Sequence, residues 1–212
     1  MKHQGLPGLS PPSPPRATLS PEMNSEQHPT HPGDDGHSDL LSDGRPPKSD
    51  PVFECLGWLD ELNSLLGLLR VAVRAVSAAG GDTDHIASPD ASIRSIQLTL
   101  GRIMGMAAAG SGGPGSGTAE TAAVTDSDVA ALEELERDLR ARTMIAARFY
   151  VPGDSTEASA LADVARARCR TAERAFVAFM SGRPLDLAPA HRFLNRLSDY
   201  LFVVARYLDG PE

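Results

Sequence analysis

The sequence predicts an all-α protein, built as a five-helix bundle. Apolar residues recur at steps of three and four along five stretches of the 212-residue chain, and no stretch shows convincing strand alternation. Glycine- and proline-containing segments separate these stretches. With 41% hydrophobic residues, the chain is able to bury a sizeable core in one domain. Amphipathic helices joined by short to moderate links are typical of a helical bundle.

The first predicted helix, from about Pro51 to Ala78, carries two parallel stripes. Its apolar seam consists of Leu59, Leu62, Leu66, Leu69, Val73 and Val76. A polar edge repeats the same spacing one residue later, at Asp60, Asn63, Gly67, Arg70 and Arg74. We expect the seam to pack against other helices.

The second and third predicted helices continue the apolar pattern. The second runs from about Pro89 to Ala109 and buries Ile93, Ile96, Leu100, Ile103 and Met104. The third begins at about Asp126, a plausible N-cap, and continues through Leu132, Leu135, Leu139 and Ile145.

The fourth predicted helix follows a turn at Pro152 and Gly153, with Asp154 as its cap and Glu157 completing a capping box. Its segment from 165 to 174 holds four arginines and one glutamate. One face of this helix is charged, at Arg166, Arg170, Glu173 and Arg174. This face either meets an anion or lies in water with intrahelical ion pairs, such as one between Arg170 and Glu173. Composition alone favours the second interpretation.

The fifth predicted helix, from about Pro189 to Leu208, has one apolar and one polar face. The apolar face carries Leu194, Leu197, Leu201, Val204 and Leu208. The polar stripe carries Arg192, Asn195, Arg196, Asp199 and Arg206. We expect this polar stripe to lie beside the fourth helix.

The remaining segments are loops. Residues 1–29 are rich in proline and serine, which predicts a disordered tail. The following loop, residues 30–50, has glycines at 33, 36 and 44, and Arg45 and Lys48 supply positive charge suited to phosphate. A second glycine-rich piece, Gly110 to Gly117, lacks the lysine and Ser/Thr of a Walker-type loop and is interpreted as a flexible connection.

Composition limits the function classes. A net charge of −8 argues against general nucleic-acid binding, so any anion site must be a local arginine cluster. The two cysteines, Cys55 and Cys169, lie in predicted helices without metal-ligand spacing and are expected to be buried thiols. No apolar run approaches the ~20 residues of a membrane span. We therefore expect a cytoplasmic protein that is not bound to a membrane.

The motifs GDDG, LDELNSLLG, FYVPG, ARARCRTAER and NRLSDYLFVVAR occur in an order that resembles the PduO-type ATP:cobalamin adenosyltransferases. The resemblance extends from about Thr30 to Tyr207. It implies a homotrimer of five-helix bundles, with residues 30–50 as nucleotide-binding loop and 51–209 as bundle. It also implies transfer of the 5′-deoxyadenosyl group from ATP to cob(I)alamin at subunit interfaces, which forms adenosylcobalamin and releases triphosphate.

The resemblance also implies roles for individual residues. The ATP-binding set would be Gly33, Asp34, Gly36, Lys48, Arg170, Glu173, Arg174 and Asn195. The residues implied in catalysis are Arg170, Arg174, Asp60 and Phe149. Asp60 would pair with Arg170 of a neighbouring subunit beside the cobalamin, and Phe149 would lie against the lower face of the corrin ring. Magnesium is expected on the ATP phosphates and not on protein side chains; a reductase and a cobalamin-dependent acceptor enzyme are possible partners.

The chemistry suits these residue types independently of the resemblance. Cob(I)alamin is itself a strong nucleophile, so the protein needs to supply alignment and positive charge and not a general base. Several positions depart from the family's pattern, among them His31, Val52, Asp154 and Thr171. They leave open a non-catalytic corrinoid-binding relative that acts as carrier or regulator of a cobalamin-dependent partner. A plain helical interaction protein is a third alternative.

Overall fold

The computed structural model describes residues 31, 33–41, 44–78, 83–109, 123–181 and 187–210. Its five α-helices are α1 (Pro51–Ala78), α2 (Thr83–Ala109), α3 (Asp126–Ala141), α4 (Glu157–Met180) and α5 (Ala188–Asp209). Within these ranges there is no strand, only an isolated bridge between His37 and Pro47. The predicted all-α five-helix bundle is thus confirmed. The predicted tail, residues 1–29, and the connection from 110 to 117 lie outside the described residues.

Polar side chains join α1 to α2. Arg70 Nε lies 2.8 Å from Asp90 Oδ1, and Gln97 Nε2 donates to the Asn63 carbonyl at 2.9 Å. The earlier residue of α1, Asn63, contacts the later residue of α2, Gln97, so the two helices are antiparallel. The polar edge of α1 therefore faces α2.

The helix α4 packs between α1 and α5. On the α1 side, Arg168 Nε lies 3.1 Å from Glu61 Oε1. On the α5 side, Asn195 Nδ2 donates to Glu173 Oε1 at 3.0 Å. The polar stripe of α5 lies beside α4 only in part: Asn195 and Arg206 contact α4 as predicted. Arg192 and Arg196 pair instead with Asp126 and Glu133 of α3.

Apolar stripes from all five helices form one core. The α1 seam from Leu59 to Val73 is fully buried, but Val76 is 37% exposed because the core ends one turn earlier, at Val73. The predicted apolar faces of α2 and α5 are buried except for Met104, which is partly buried. In the described part of the chain, no helix has the length and apolar character needed to cross a membrane.

The start of α2 and both ends of α3 differ from the prediction. Helix α2 begins at Thr83 and contains Pro89 in its interior, because a proline removes one hydrogen bond without necessarily ending a helix. The cap of α3 is Thr125 and not Asp126, and the Thr125 N–H donates to Asp128 Oδ2 at 2.8 Å. Helix α3 ends at Ala141, so Ile145 lies in the following loop and packs against the core from there.

The cap of α4 is Thr156, so the prediction of Asp154 was wrong. Thr156 Oγ1 accepts from the Ser159 N–H at 3.0 Å and donates to the Leu208 carbonyl at 3.0 Å. Next to it, Ser155 Oγ donates to the Asp209 carbonyl at 2.8 Å. The carbonyl groups at the end of α5 therefore determine where α4 begins.

The double role of Thr156 gives a stability prediction. Thr156→Ala removes both hydrogen bonds, so the free energy of unfolding should fall by about 1–2 kcal/mol. Denaturant titration measures this, and Thr156→Ser, which keeps the hydroxyl group, is the matched control. An alanine variant as stable as the serine variant would show that neither bond contributes.

Candidate functional site

The glycine-bearing loop before α1 is closed by Lys48. Its Nζ donates to the Gly33 carbonyl at 2.9 Å, and its backbone N–H donates to the Gly36 carbonyl at 2.8 Å. Gly33 and Gly36 have φ values of 98° and 77°, which side chains disfavour. A Cβ at Gly33 would lie 3.0 Å from Lys48 Nζ. The structure therefore brings together these three predicted site residues.

The other loop cation, Arg45, already has carboxylate partners. Its Nη2 donates to Asp35 Oδ1 at 3.1 Å, and its Nε lies 3.4 Å from Asp39 Oδ1. The hydrogen bond from Arg45 holds the pKa of the Asp35 carboxyl below its usual value. The positive charge of Arg45 is therefore shared with two exposed carboxylates, and its predicted role toward phosphate stays a prediction. Lys48 has no carboxylate partner among the described residues.

The predicted site residue Asp34 lies at the start of the same loop. Its Oδ2 accepts from the His31 N–H at 2.9 Å, and its backbone N–H donates to the His31 carbonyl at 3.1 Å. The side chain is exposed. Asp34 is thus close to Gly33 in the folded loop, with its carboxylate at the surface.

The arginine face of α4 is exposed at Arg170 and Arg174. Arg174 Nη2 donates to Thr171 Oγ1 at 3.2 Å, and neither arginine has a carboxylate partner within the described ranges. Glu173, the alternative intrahelical partner of Arg170, is bound instead to Asn195 on α5. The arginine face therefore retains positive charge that can meet an anion.

The amide of Asn195 is held at both ends. Its Nδ2 donates to Glu173, while Arg196 Nη1 donates to Asn195 Oδ1 at 2.9 Å. His191 Nε2 lies 3.5 Å from the same Glu173 oxygen, and Arg196 Nε lies 2.9 Å from Glu133 Oε1. The sequence analysis missed Arg196 in this role, because adjacent residues on a helix do not normally face each other.

Asp60 and Arg170 lie on different flanks of the bundle. Asp60 is exposed on the edge of α1 whose Asn63 carbonyl is bound by α2. Arg170 is exposed on the edge of α4 whose Glu173 is bound by α5. Because α1 contacts α2 and α4, and α4 contacts α1 and α5, we infer that these two edges face different neighbours. The structure does not bring the two residues together within one chain.

Phe149 stands in the loop between α3 and α4, away from the other predicted site residues. Its side chain is 87% exposed, and Met144 in the same loop is 96% exposed. Both border an open groove of about 320 Å³ that also contains Arg148 and Asp154. Exposed apolar side chains clustered in this way are typical of a ligand or partner surface.

Beneath this loop lies a buried ion pair that the sequence analysis did not find. Arg206 Nη2 donates to Asp163 Oδ2 at 2.7 Å, with side-chain exposures of 3% and 4%. The Arg206 guanidinium carbon lies 4.4 Å from the centre of the Tyr150 ring. The only sequence signal for the pair was Asp163 itself, an acidic residue in a largely apolar part of α4.

Both cysteines are buried thiols, as predicted, and neither forms a disulfide bond. Cys169 Sγ donates to the Leu194 carbonyl at 3.3 Å, and burial raises the pKa of its thiol far above the ordinary value. Among the described residues, no group of three His, Cys, Asp or Glu side chains is arranged to hold a metal ion.

Two of the positions that depart from the family's pattern, Val52 and Thr171, have structural roles. Val52 is 2% exposed and belongs to the core. Thr171 Oγ1 accepts the hydrogen bond that holds Arg174. Asp154 is exposed in the groove beside Phe149. None of these three residues takes part in the contacts that close the glycine-bearing loop.

A family model described as cobalamin adenosyltransferase matches residues 28–208. The corrinoid adenosyltransferase of Mus musculus is 33% identical over 178 residues, which are 84% of this chain and 70% of that protein. That of Bacillus subtilis is 33% identical over 181 residues, 85% of this chain and 86% of that protein. A variant PduO-type ATP:corrinoid adenosyltransferase from Lactobacillus reuteri, complexed with cobalamin and ATP, superposes with a TM-score of 0.67. It is 25% identical and covers 84% of this chain and 90% of that chain.

Proposed function

Because this chain belongs to the cobalamin adenosyltransferase family, we propose that it transfers the 5′-deoxyadenosyl group of ATP to cob(I)alamin, forming adenosylcobalamin and releasing triphosphate. The observation that carries the proposal is the extent of the family match, residues 28–208, which includes both the glycine-bearing loop and the arginine face. The loop presents Lys48 and the arginine face presents Arg174. Neither of these two cations has a carboxylate partner in the described part of the chain.

The reaction needs little from protein side chains in bond making. The cobalt electron pair attacks the ribose C5′, a cobalt–carbon bond forms, and the bond from C5′ to the triphosphate oxygen breaks. The triphosphate leaves with the electron pair of the broken carbon–oxygen bond, and no proton has to move. The protein contributes alignment of cobalt with carbon and positive charge where the triphosphate departs.

We assign triphosphate binding to the loop and the arginine face together. Lys48 keeps N–H donors beyond the one given to Gly33, and a guanidinium such as that of Arg174 binds two phosphate oxygens at once. Asn195 is fixed by its neighbours and orients the nucleotide. The full proposed ATP set is Gly33, Asp34, Gly36, Lys48, Arg170, Glu173, Arg174 and Asn195.

Magnesium would bind mainly through ATP. Mg²⁺ prefers phosphate, water and one or two carboxylate oxygens, and does not need a protein cage. Its chemistry there is to neutralise phosphate charge.

On the corrinoid side, we assign Phe149 to the lower face of the ring. An exposed aromatic side chain beside cobalt excludes water and the lower axial ligand, which favours Co(I). A reductase must supply that Co(I), and a cobalamin-dependent enzyme accepts the product. Two cysteines without a disulfide bond fit a reducing compartment such as the cytoplasm.

We propose a homotrimer in which Asp60 of one chain pairs with Arg170 of the next. Both side chains are exposed and lie on different flanks, so a contact between them joins two unlike surfaces. Unlike surfaces make a head-to-tail interface, which closes into a ring when the rotation permits. Each site would then lie between two chains, with Asp60 beside the cobalamin.

This arrangement predicts complementation between two defective chains. Asp60→Ala and Arg170→Ala should each lower activity by about tenfold, because each removes one side of the same ion pair. When the two variants are unfolded together and refolded as a mixture, about a quarter of the interfaces regain both intact side chains. Activity of the mixture should therefore exceed that of either variant alone.

The control is each variant refolded separately at the same total concentration. A mixture no more active than the separate variants would contradict the shared interface. Sedimentation velocity on the same samples measures whether three chains assemble.

The function itself is tested by an anaerobic assay with ATP, magnesium and chemically reduced cobalamin. The expected result is loss of the Co(I) absorption with appearance of adenosylcobalamin. No turnover, with cobalamin binding retained, would reject the transferase and leave the carrier or regulator. The pairing of Arg45 with Asp35 and Asp39 favours that second candidate, since it removes a cation from the nucleotide loop.

A further inference from the structure

We propose that Arg206 is a positioning residue for the corrinoid side of the site. Its buried guanidinium holds the Tyr150 ring, and through it the loop that carries Phe149. The inference rests on the proposed function, since it assigns Phe149 to the corrin ring. Arg206 itself acts from beneath the loop.

Tyr150 anchors the loop through three contacts. Its ring lies over Arg206 at 4.4 Å and meets Phe202 edge-on, with centroids 6.1 Å apart at 80°. Its hydroxyl accepts from the Ala146 N–H at 2.8 Å. Tyr150 is therefore held by contacts to its ring face, its ring edge and its hydroxyl group. The preceding residue, Phe149, is 87% exposed. The anchor fixes where Phe149 projects.

Arg206 is itself fixed by carboxylates. It donates to Asp163 at 2.7 Å, and its Nε lies 2.8 Å from Asp209 Oδ2. A buried ion pair is seldom more stabilising than apolar residues of the same volume, because both charges lose their hydration. The pair is thus poorly explained by stability alone. It is well explained by the need for a flat cation of fixed orientation under an aromatic ring.

The same buried carboxylate reaches the arginine face. Asp163 Oδ1 lies 3.6 Å from Arg166 Nε, and Arg166 is one helical turn before Arg170. Asp163 therefore contacts both the loop anchor Arg206 and an arginine one turn away from the proposed nucleotide surface. The residues that hold the Phe149 loop thus lie next to Arg166, one turn from Arg170 along α4.

The test compares Arg206→Lys with Tyr150→Leu. Lysine keeps the charge beside Asp163 but has no flat surface for the ring, and leucine removes the ring itself. Each variant should lower kcat about tenfold and leave the KM for ATP within about twofold. The double variant should be no worse than the poorer single variant, because Arg206 is proposed to act only through the Tyr150 ring, which Tyr150→Leu already removes.

A second readout separates positioning from mere stability. The visible spectrum of bound cob(II)alamin reports whether the lower axial ligand is attached, and both variants should retain more of that ligand than the wild type. Arg137→Lys is the matched control, since Arg137 is an exposed arginine paired with Glu134 on the surface of α3. It should change neither kcat nor the spectrum.

The outcomes are distinguishable. A wild-type protein that forms no adenosylcobalamin rejects the proposed function. An active wild type with unchanged kcat and spectrum in both variants overturns the role of Arg206. If Arg206→Lys does not fold, Tyr150→Leu decides, because its site is only half-buried, and normal kcat and spectrum in that variant overturn the inference.

Discussion

Arg174→Ala should lower kcat for adenosyl transfer by about 10³-fold. The guanidinium stands exposed on α4 without a carboxylate partner in the described residues, and Thr171 holds it in place. In the proposed site it meets the charge that develops on the departing triphosphate. Without it, that charge would be left without its main cation. Steady-state kinetics with ATP and cob(I)alamin measures the loss.

Two controls make this result specific. Arg174→Lys keeps a charge without the two-pronged geometry and should recover only part of the rate. Arg140→Ala removes an exposed arginine paired with Glu136 on α3 and should have no effect on turnover. Full activity in Arg174→Ala would show that Arg174 takes no part in the site.

Phe149→Ala should lower kcat by about 10²-fold while the KM for ATP stays nearly constant. The side chain is proposed to contact only the corrin ring, so nucleotide binding should not depend on it. Because Phe149 is 87% exposed, its truncation should hardly change the free energy of unfolding. Kinetics and denaturant titration on the same preparation measure both effects.

Leu98→Ala, at an exposed apolar position on α2, is the matched truncation and should keep normal kcat. Equal loss of ATP binding and turnover in Phe149→Ala would move Phe149 to the nucleotide side. If Phe149→Ala lowers the free energy of unfolding as much as the loss of a core residue does, Phe149 is buried in the assembled protein, unlike in the single chain.

Helical periodicity was sufficient to predict the five helices and most of the core. The apolar seam of α1 and the stripes of α2 and α5 were predicted because burial follows the 3.6-residue repeat. The helix ends were harder. Asp154 and Thr156 are both good caps by residue type, and only the carbonyl groups at the end of α5 decide between them. Those groups are about fifty residues away in the chain.

The candidate site was likewise predictable from the sequence only in part. The charged face of α4 and the polar stripe of α5 follow from spacing, but the bond from Asn195 to Glu173 requires knowing how the helices pack. Arg206 was predicted as part of a polar stripe, yet it is buried because Asp163 and Tyr150 enclose it. The expected roles of Asp60 and Phe149 come from family resemblance, because neither spacing nor charge indicates them.

The two cysteines have a consequence for the conditions in which this chain works. Cob(I)alamin persists only under strongly reducing conditions, which break disulfide bonds. Here neither thiol forms a disulfide bond, so the fold contains no such cross-link for a reductant to cleave. Burial raises the pKa of the Cys169 thiol and keeps it protonated, so it is not a thiolate that competes with cobalt for an electrophilic carbon. The low reduction potential that keeps the proposed substrate as cob(I)alamin therefore breaks no covalent bond of the fold.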